Sequence, residues 1–151
     1  MKSVLVIEND SNDIYLLRHL LEKIDPSLEV LSFCSGELAL DFLLGRGEYR
    51  DRVKHPLPCL IFLDLNMPRT SGFEILRRIK KEPGLKLIPV VISSGSSQTQ
   101  DIDHAYDLGA NLYLVKKVNS QEMFESVKSI IHLFLSNAGA QNRPTPLELA
   151  T

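Results

Sequence analysis

Leu60-Ile61-Phe62-Leu63 runs without a polar break into one carboxylate, Asp64, after which Met67-Pro68 and Gly72 stop any strand from continuing. A continuous apolar run bounded by turn residues has no solvent face, so it reads as a strand covered on both sides, as in a parallel sheet. Similar runs recur at residues 4–7, 30–33, 90–93 and 112–115. Between them, Ile14, Leu17, Leu21 and Ile24 recur at helical spacing. So do Leu38 and Phe42, then Phe73, Leu76 and Ile79, then Ile102, Ala105 and Leu108, with Gly109 placed to stop that helix. Asn119 followed by Glu122 forms a capping pair for a last helix. The alternation predicts an α/β domain of (βα)5 form, a doubly wound five-stranded parallel sheet with helices on both faces.

In such a sheet ligands sit outside the carboxyl ends of the strands, where the strand order reverses. The polar residues at those ends make a short list. Glu8, Asn9 and Asp10 follow the first strand, Asp64 the third, Ser94 and Gly95 the fourth, Lys116 and Lys117 the fifth. An ionisable Asp at the mouth of a buried strand loses solvation unless a cation or donors wait for it. These parts suit phosphoryl transfer to a carboxylate, which relies on positioning and charge neutralisation. A carboxylate nucleophile needs no general base at neutral pH. Mg²⁺ takes a few carboxylate or carbonyl oxygens and keeps waters, which the acids after the first strand could supply together with Asp64. An ammonium and a hydroxyl can hold the phosphoryl oxygens, and Gly95 leaves room for backbone N–H groups to approach.

Val6-Ile7-Glu8, Phe62-Leu63-Asp64-Leu65-Asn66-Met67-Pro68 with Gly72, Pro89-Val90-Val91-Ile92-Ser93-Ser94-Gly95 and Gly109-Ala110-Asn111-Leu112-Tyr113-Leu114-Val115-Lys116 occur in this order. In these pieces the chain resembles the receiver domain of two-component response regulators. The insertion before the third strand, and Ile79-Lys80-Lys81-Glu82-Pro83 with Ile88-Pro89-Val90, resemble the stand-alone receivers that accompany bacterial phytochromes. The resemblance implies the flavodoxin-like strand order 2-1-3-4-5, with a receiver over residues 1–136, while residues 137–151, rich in Gly, Pro, Asn and Gln with little to bury, read as a flexible tail, loose or docked on a partner. It implies that Asp64 accepts a phosphoryl group from a histidine-kinase phosphohistidine. Glu8, Asn9, Asp64 and the carbonyl of Asn66 would hold Mg²⁺, Ser94 and Lys116 would bind the phosphoryl group, and Tyr113 would change rotamer as a switch. Output would pass through the fourth helix, fifth strand and fifth helix to a downstream protein. Such a protein is a phosphoacceptor rather than an enzyme, with at most slow self-dephosphorylation.

Two residues depart from the family pattern. Asn9 stands where the family usually has a second acid, which removes a full negative charge from the metal site. Lys117 stands where it usually has Pro, so a trans Lys116–Lys117 peptide, or else a strained bond, is expected with an altered loop into the last helix, because a non-prolyl cis bond costs about 2.5–4 kcal/mol. These departures motivate the rival reading of a phosphate-independent pseudo-receiver. An aspartate-nucleophile phosphatase would need a carboxylate two residues after Asp64, where Asn66 stands, and a dinucleotide oxidoreductase would need a Gly-x-Gly-x-x-Gly after the first strand.

The remaining features set limits. With 17 basic and 19 acidic residues and a formal net charge of -2, no global field draws the chain to nucleic acid or membrane. No apolar run approaches the roughly 18 residues of a membrane span, and charge comes too early for a secretory signal. Cys34 and Cys59 read as buried reduced thiols of a cytoplasmic protein. His19, His55, His104 and His132 lack metal-ligand spacing. Residues 45–58 read as a solvated polar loop, or else as a basic contact surface bearing Arg46, Arg50, Arg52 and Lys54. In the last helix, Met123, Val127, Ile130 and Phe134 form one apolar stripe and Phe124, Ile131 and Leu135 a second. Together they make either a wide buried face or the seam of a homodimer.

Overall fold

Each apolar run becomes a strand, and each segment of helical spacing becomes a helix that lays its apolar face over the sheet. In the computed structural model, which describes residues 2–136, the order is β1 (Ser3–Ile7), α1 (Ser11–Ile24), β2 (Glu29–Phe33), α2 (Gly36–Leu44), a short 3₁₀ turn (Gly47–Tyr49), β3 (Leu60–Leu63), α3 (Gly72–Lys81), β4 (Val90–Ser94), α4 (Thr99–Asp107), β5 (Leu112–Val115) and α5 (Ser120–Leu135). The strands pair in parallel in the order β2-β1-β3-β4-β5. Residues 137–151, expected to be a flexible tail, lie outside the described residues.

Strand side chains alternate between faces, so the sheet separates two cores. Leu5, Ile7, Ile61, Leu63 and Ile92 pack with α2, α3 and Ala105 of α4. Val4, Val6, Phe62, Val91 and Leu114 pack with α1 and α5 on the other side. The register levels the strand ends: Ile7 lies opposite both Phe33 and Leu63, and Leu63 opposite Ile92. Glu8 and Asp64 therefore leave adjacent strands at the same height, at the point where the chain order reverses.

Local chemistry fixes where the helices begin. Asp10, Ser35, Ser71 and Asn119 each accept backbone N–H groups from the first turn of the helix that follows, which satisfies donors that would otherwise have no partner. Asn119 caps α5 as its spacing from Glu122 implied, accepting from the N–H groups of Gln121 and Glu122. Helix α4 has no side-chain cap and buries only Ala105, so it is the helix held by the fewest anchors. Gly109 follows it with φ 105°, the left-handed conformation that glycine adopts most readily.

Several expectations need correcting. Leu38, which shares helical spacing with buried Phe42, is itself 51% exposed, and Ala39, Leu40, Phe42 and Leu43 carry the packing of α2. Cys34 is exposed and Cys59 only half-buried, and both are free thiols. Each falls just beyond a strand, Cys34 in the turn into α2 and Cys59 at the start of β3, where the sheet no longer covers it. Within the 45–58 segment, Arg52 is half-buried and not free in solvent. Its guanidinium donates to the carbonyls of Phe42, Leu43 and His55 at 2.8, 2.7 and 3.1 Å and lies over the Phe42 ring. It thus supplies a donor to the Leu43 carbonyl at the C-terminal end of α2 and a second one to the Phe42 carbonyl, which also accepts the N–H of Gly45 at 3.2 Å. Arg52→Ala is expected to lose about 1–2 kcal/mol, read as a lower urea midpoint with unchanged slope.

Both stripes of α5 turn inward. Met123, Val127, Ile130 and Ile131 are buried, and Phe124, Phe134 and Leu135 pack half-buried against the same core. Among the described residues no helix is long and apolar enough to cross a membrane.

Candidate functional site

Three carboxylates from two strand ends and a helix start close on one ammonium. Lys116 Nζ lies 2.5 Å from Glu8 Oε1, 2.8 Å from Asp13 Oδ2 and 3.4 Å from Asp64 Oδ2. Glu8 and Asp64 are only 5% and 6% exposed. Their remaining oxygens are not idle. Asp64 Oδ1 accepts the N–H of Asn66 at 3.1 Å, and Glu8 Oε2 accepts the N–H of Asp10 at 3.3 Å. Lys116 is set by its own backbone, whose N–H donates to the carbonyl of Ser94 at 2.7 Å and carries the β4–β5 pairing beyond the strands. The Lys116–Lys117 peptide is trans, as expected.

The floor of this acidic cup is apolar. A cavity of about 60 Å³ borders Glu8, Asp64 and Lys116, and Leu17, Leu20, Phe62 and Met123 wall it on the far side. Burial therefore pushes the Glu8 carboxyl up to about 7, assisted by its hydrogen bond to Asp64 and opposed by Lys116. Burial works against the Lys116 ammonium, but hydrogen bonds to Asp13 and Glu8, with the charges of Asp64 and Glu8, raise it above the ordinary lysine range.

A divalent cation suits the same donors. Burial makes an uncompensated carboxylate costly at this edge, and Mg²⁺ asks for one or two carboxylates with waters completing its shell. Buried Glu8 and Asp64 are the two carboxylates that could take part in such a set. Among the described residues no group of three or more His, Cys, Asp or Glu side chains forms a closed metal cage, and Mg²⁺ does not require one.

The other expected residues fall into two groups. Ser94 is buried at the end of β4, and its Oγ accepts the N–H of Ser96 at 3.1 Å. Tyr113 donates its hydroxyl to the carbonyl of Ser96 at 2.9 Å. Ser96 Oγ in turn donates to Asp101 Oδ2 of α4 at 2.5 Å. The hydroxyl beside the acidic cup is thus tied through one loop residue to both Tyr113 and α4. Asn9 is exposed and takes no part in the ionic cluster. Asp10 does not replace it: its Oδ1 accepts the N–H groups of Asn12 and Asp13 and caps α1.

Sequence reasoning missed Asp13 and Ser96. Asp13 is the third residue of α1 after its cap, a position on the first turn that can face back toward the strand ends. Its five-residue distance from Glu8, once Asp10 is recognised as the cap, is the signal that could have found it.

The chain belongs to the response regulator receiver domain family, whose model matches residues 4–128. It is a receiver-type response regulator homologous to Rcp1. Response regulator Rcp1 of Synechocystis sp. is 36% identical over 134 residues, which is 89% of this chain and 89% of that protein. The crystal structure of the phosphorylated cyanobacterial phytochrome response regulator RcpA is 38% identical and superposes with a TM-score of 0.84, covering 95% of this chain and 99% of its own. The Mn²⁺-bound form of Rcp1 is 34% identical with a TM-score of 0.81, covering 96% of this chain and 100% of its own.

Proposed function

We propose that Asp64 accepts a phosphoryl group from the phosphohistidine of a sensor histidine kinase of phytochrome type. The observation that carries this is the buried Glu8–Asp64 pair with the Lys116 ammonium 3.4 Å from Asp64. An Asp64 carboxylate oxygen attacks phosphorus, the phosphorus–nitrogen bond breaks, and the imidazole leaves with the electron pair. Lys116 is poised to pair with the phosphoryl oxygens. Ser94 would bond them too, giving up the Ser96 N–H for this role. Glu8, Asp64 and the Asn66 carbonyl would hold Mg²⁺, with the Asn9 amide oxygen at the rim. When bound, the metal offsets charge on the transferring group. The phosphorylated form of RcpA and the Mn²⁺-bound form of Rcp1 support both parts.

The docking rim and the output lie on different faces. Tyr15, Leu16 and Val118 are exposed apolar side chains at the start of α1 and beside Lys117, which suits the approach of a helical kinase surface. Output is assigned to α4, β5 and α5. Movement of Ser94 would release the Ser96 loop, freeing Tyr113 to change rotamer and loosening the uncapped α4. A downstream protein would read that surface. A second copy docking on α5 would meet Glu125, Lys128 and His132, since the apolar stripes of this helix turn inward.

Incubation with Mg²⁺ and a small phosphodonor such as phosphoramidate tests the proposal by intact-mass measurement. A gain of about 80 Da that disappears in Asp64→Asn is expected; the phosphodonor logic follows from carboxylate nucleophilicity. No gain in the unaltered protein, or the same gain in Asp64→Asn, overturns it.

A further inference from the structure

We propose that Asp13 is a positioning residue for Lys116: it offers the ammonium a second seat, so that Glu8 and Asp64 can receive a divalent cation. The inference rests on reading Glu8 and Asp64 as the metal-binding carboxylates. Lys116 Nζ sits 2.5 Å from Glu8 and 3.4 Å from Asp64, the place that a cation would claim. An ammonium and a dication cannot share those oxygens, because both are desolvated there and repel. Lys116 must yield Glu8 for the metal to bind, and an ammonium leaving one carboxylate in an apolar cleft needs another.

Asp13 meets that need. Its Oδ2 already lies 2.8 Å from Nζ, and its side chain is 40% exposed, so it remains hydrated whether or not the ammonium leans on it. Its backbone is held, because the Asp13 N–H donates to the cap residue Asp10 at 3.1 Å. Lysine carries three donors on a flexible stem. It can therefore keep Asp13, release Glu8 and still reach a phosphoryl group on Asp64. Asp13 also restores the negative charge missing at Asn9, placed on the lysine's side of the cup. Asp10 cannot do so while it caps α1.

The competing explanation is that Asp13 only favours the start of α1 through its position near the helix N-terminus. Calorimetric titration of Mg²⁺ into the metal-free protein, with a thermal melt of every variant, separates the two. Asp13→Asn is expected to raise the Mg²⁺ Kd about fivefold, and Asp13→Glu to stay within about twofold of the unaltered protein. In a Lys116→Met background, or Lys116→Gln should the first not fold, the same Asp13→Asn change is expected to alter Kd less than about twofold. A lower melting temperature with unchanged Kd overturns the proposal in favour of a helix-start role. An equal rise in Kd with and without Lys116 overturns it in favour of direct action on the metal. Glu8→Gln is the control for the underlying reading: Mg²⁺ binding unaffected by that change removes the metal site itself, and this proposal with it.

Discussion

Metal-free protein loses stability as the pH rises from about 5 to about 8, and saturating Mg²⁺ removes most of the loss. Glu8 is held by burial and by its hydrogen bond to Asp64 in a form that titrates at about 7, against 4.5 for an ordinary glutamate. Between those values the folded protein binds more protons than the unfolded chain, so stability falls with rising pH. The favourable contribution is fully present below the unfolded pKa and is lost as the pH passes through the folded one. A shift of this size corresponds to a change on the order of 3 kcal/mol across the window. If Glu8 is a metal ligand as proposed, Mg²⁺ would need its carboxylate ionised, so the affinity would rise over the same interval and binding would stabilise the folded form where the proton no longer does. Urea midpoints at pH 5, 6.5 and 8, with chelator or with Mg²⁺, measure both effects. In Glu8→Gln the chelator curve is expected to flatten, because the titrating group is gone. A metal-free protein whose dependence on pH equals that of Glu8→Gln would show that Glu8 is ionised throughout.

Continuous apolar runs made the sheet legible. A strand buried on both faces has no polar residue until it emerges, so the residue after each run, Glu8 or Asp64, marks the edge where ligands gather. Pairing order then followed from family motifs, and Asn119 announced its helix through capping chemistry. What escaped depended on direction rather than position. Asp10 and Asp13 are three residues apart at one helix start, yet one accepts N–H groups from the first turn and the other reaches Lys116. Sequence spacing does not say which will turn inward until the cap is known. Arg52 was misplaced for a related reason. A basic residue in a polar loop reads as solvated, and only the fold brings the C-terminal carbonyls of α2 within its reach. Cys34 and Cys59 show the converse error, since apolar neighbours along the chain do not bury a side chain that lies one residue beyond the sheet.

Gly72→Ala is expected to be the most damaging small substitution near the site. Gly72 opens α3, and its N–H donates to the carbonyl of Leu65 at 3.0 Å, drawing the helix start against the chain that leaves β3. A Cβ there would stand 2.3 Å from the carbonyl oxygen of Asp64 and 2.5 Å from the Cα of Leu65. Both are backbone atoms, so no rotamer change relieves the overlap. Either α3 or the Asp64–Leu65 segment must move. The constraint is space and not backbone conformation, because Gly72 is not among the residues with positive φ. A loss of about 3 kcal/mol or more is expected, as for severe overpacking, with slower phosphorylation by a small donor because the displaced carbonyl belongs to the acceptor itself. Two other glycines calibrate the claim. At Gly36 an added Cβ meets the Ile75 side chain at 2.4 Å, whose terminal methyl can rotate away, so an intermediate loss is expected. At exposed Gly95 it meets nothing within 4 Å, and stability should stay within about 0.5 kcal/mol. Urea midpoints in the order Gly95→Ala, Gly36→Ala, Gly72→Ala from highest to lowest bear out the close approach behind Asp64. A Gly72→Ala protein as stable as Gly95→Ala would mean that α3 does not press on the acceptor loop, and the geometry assigned to the site would have to be redrawn from that point.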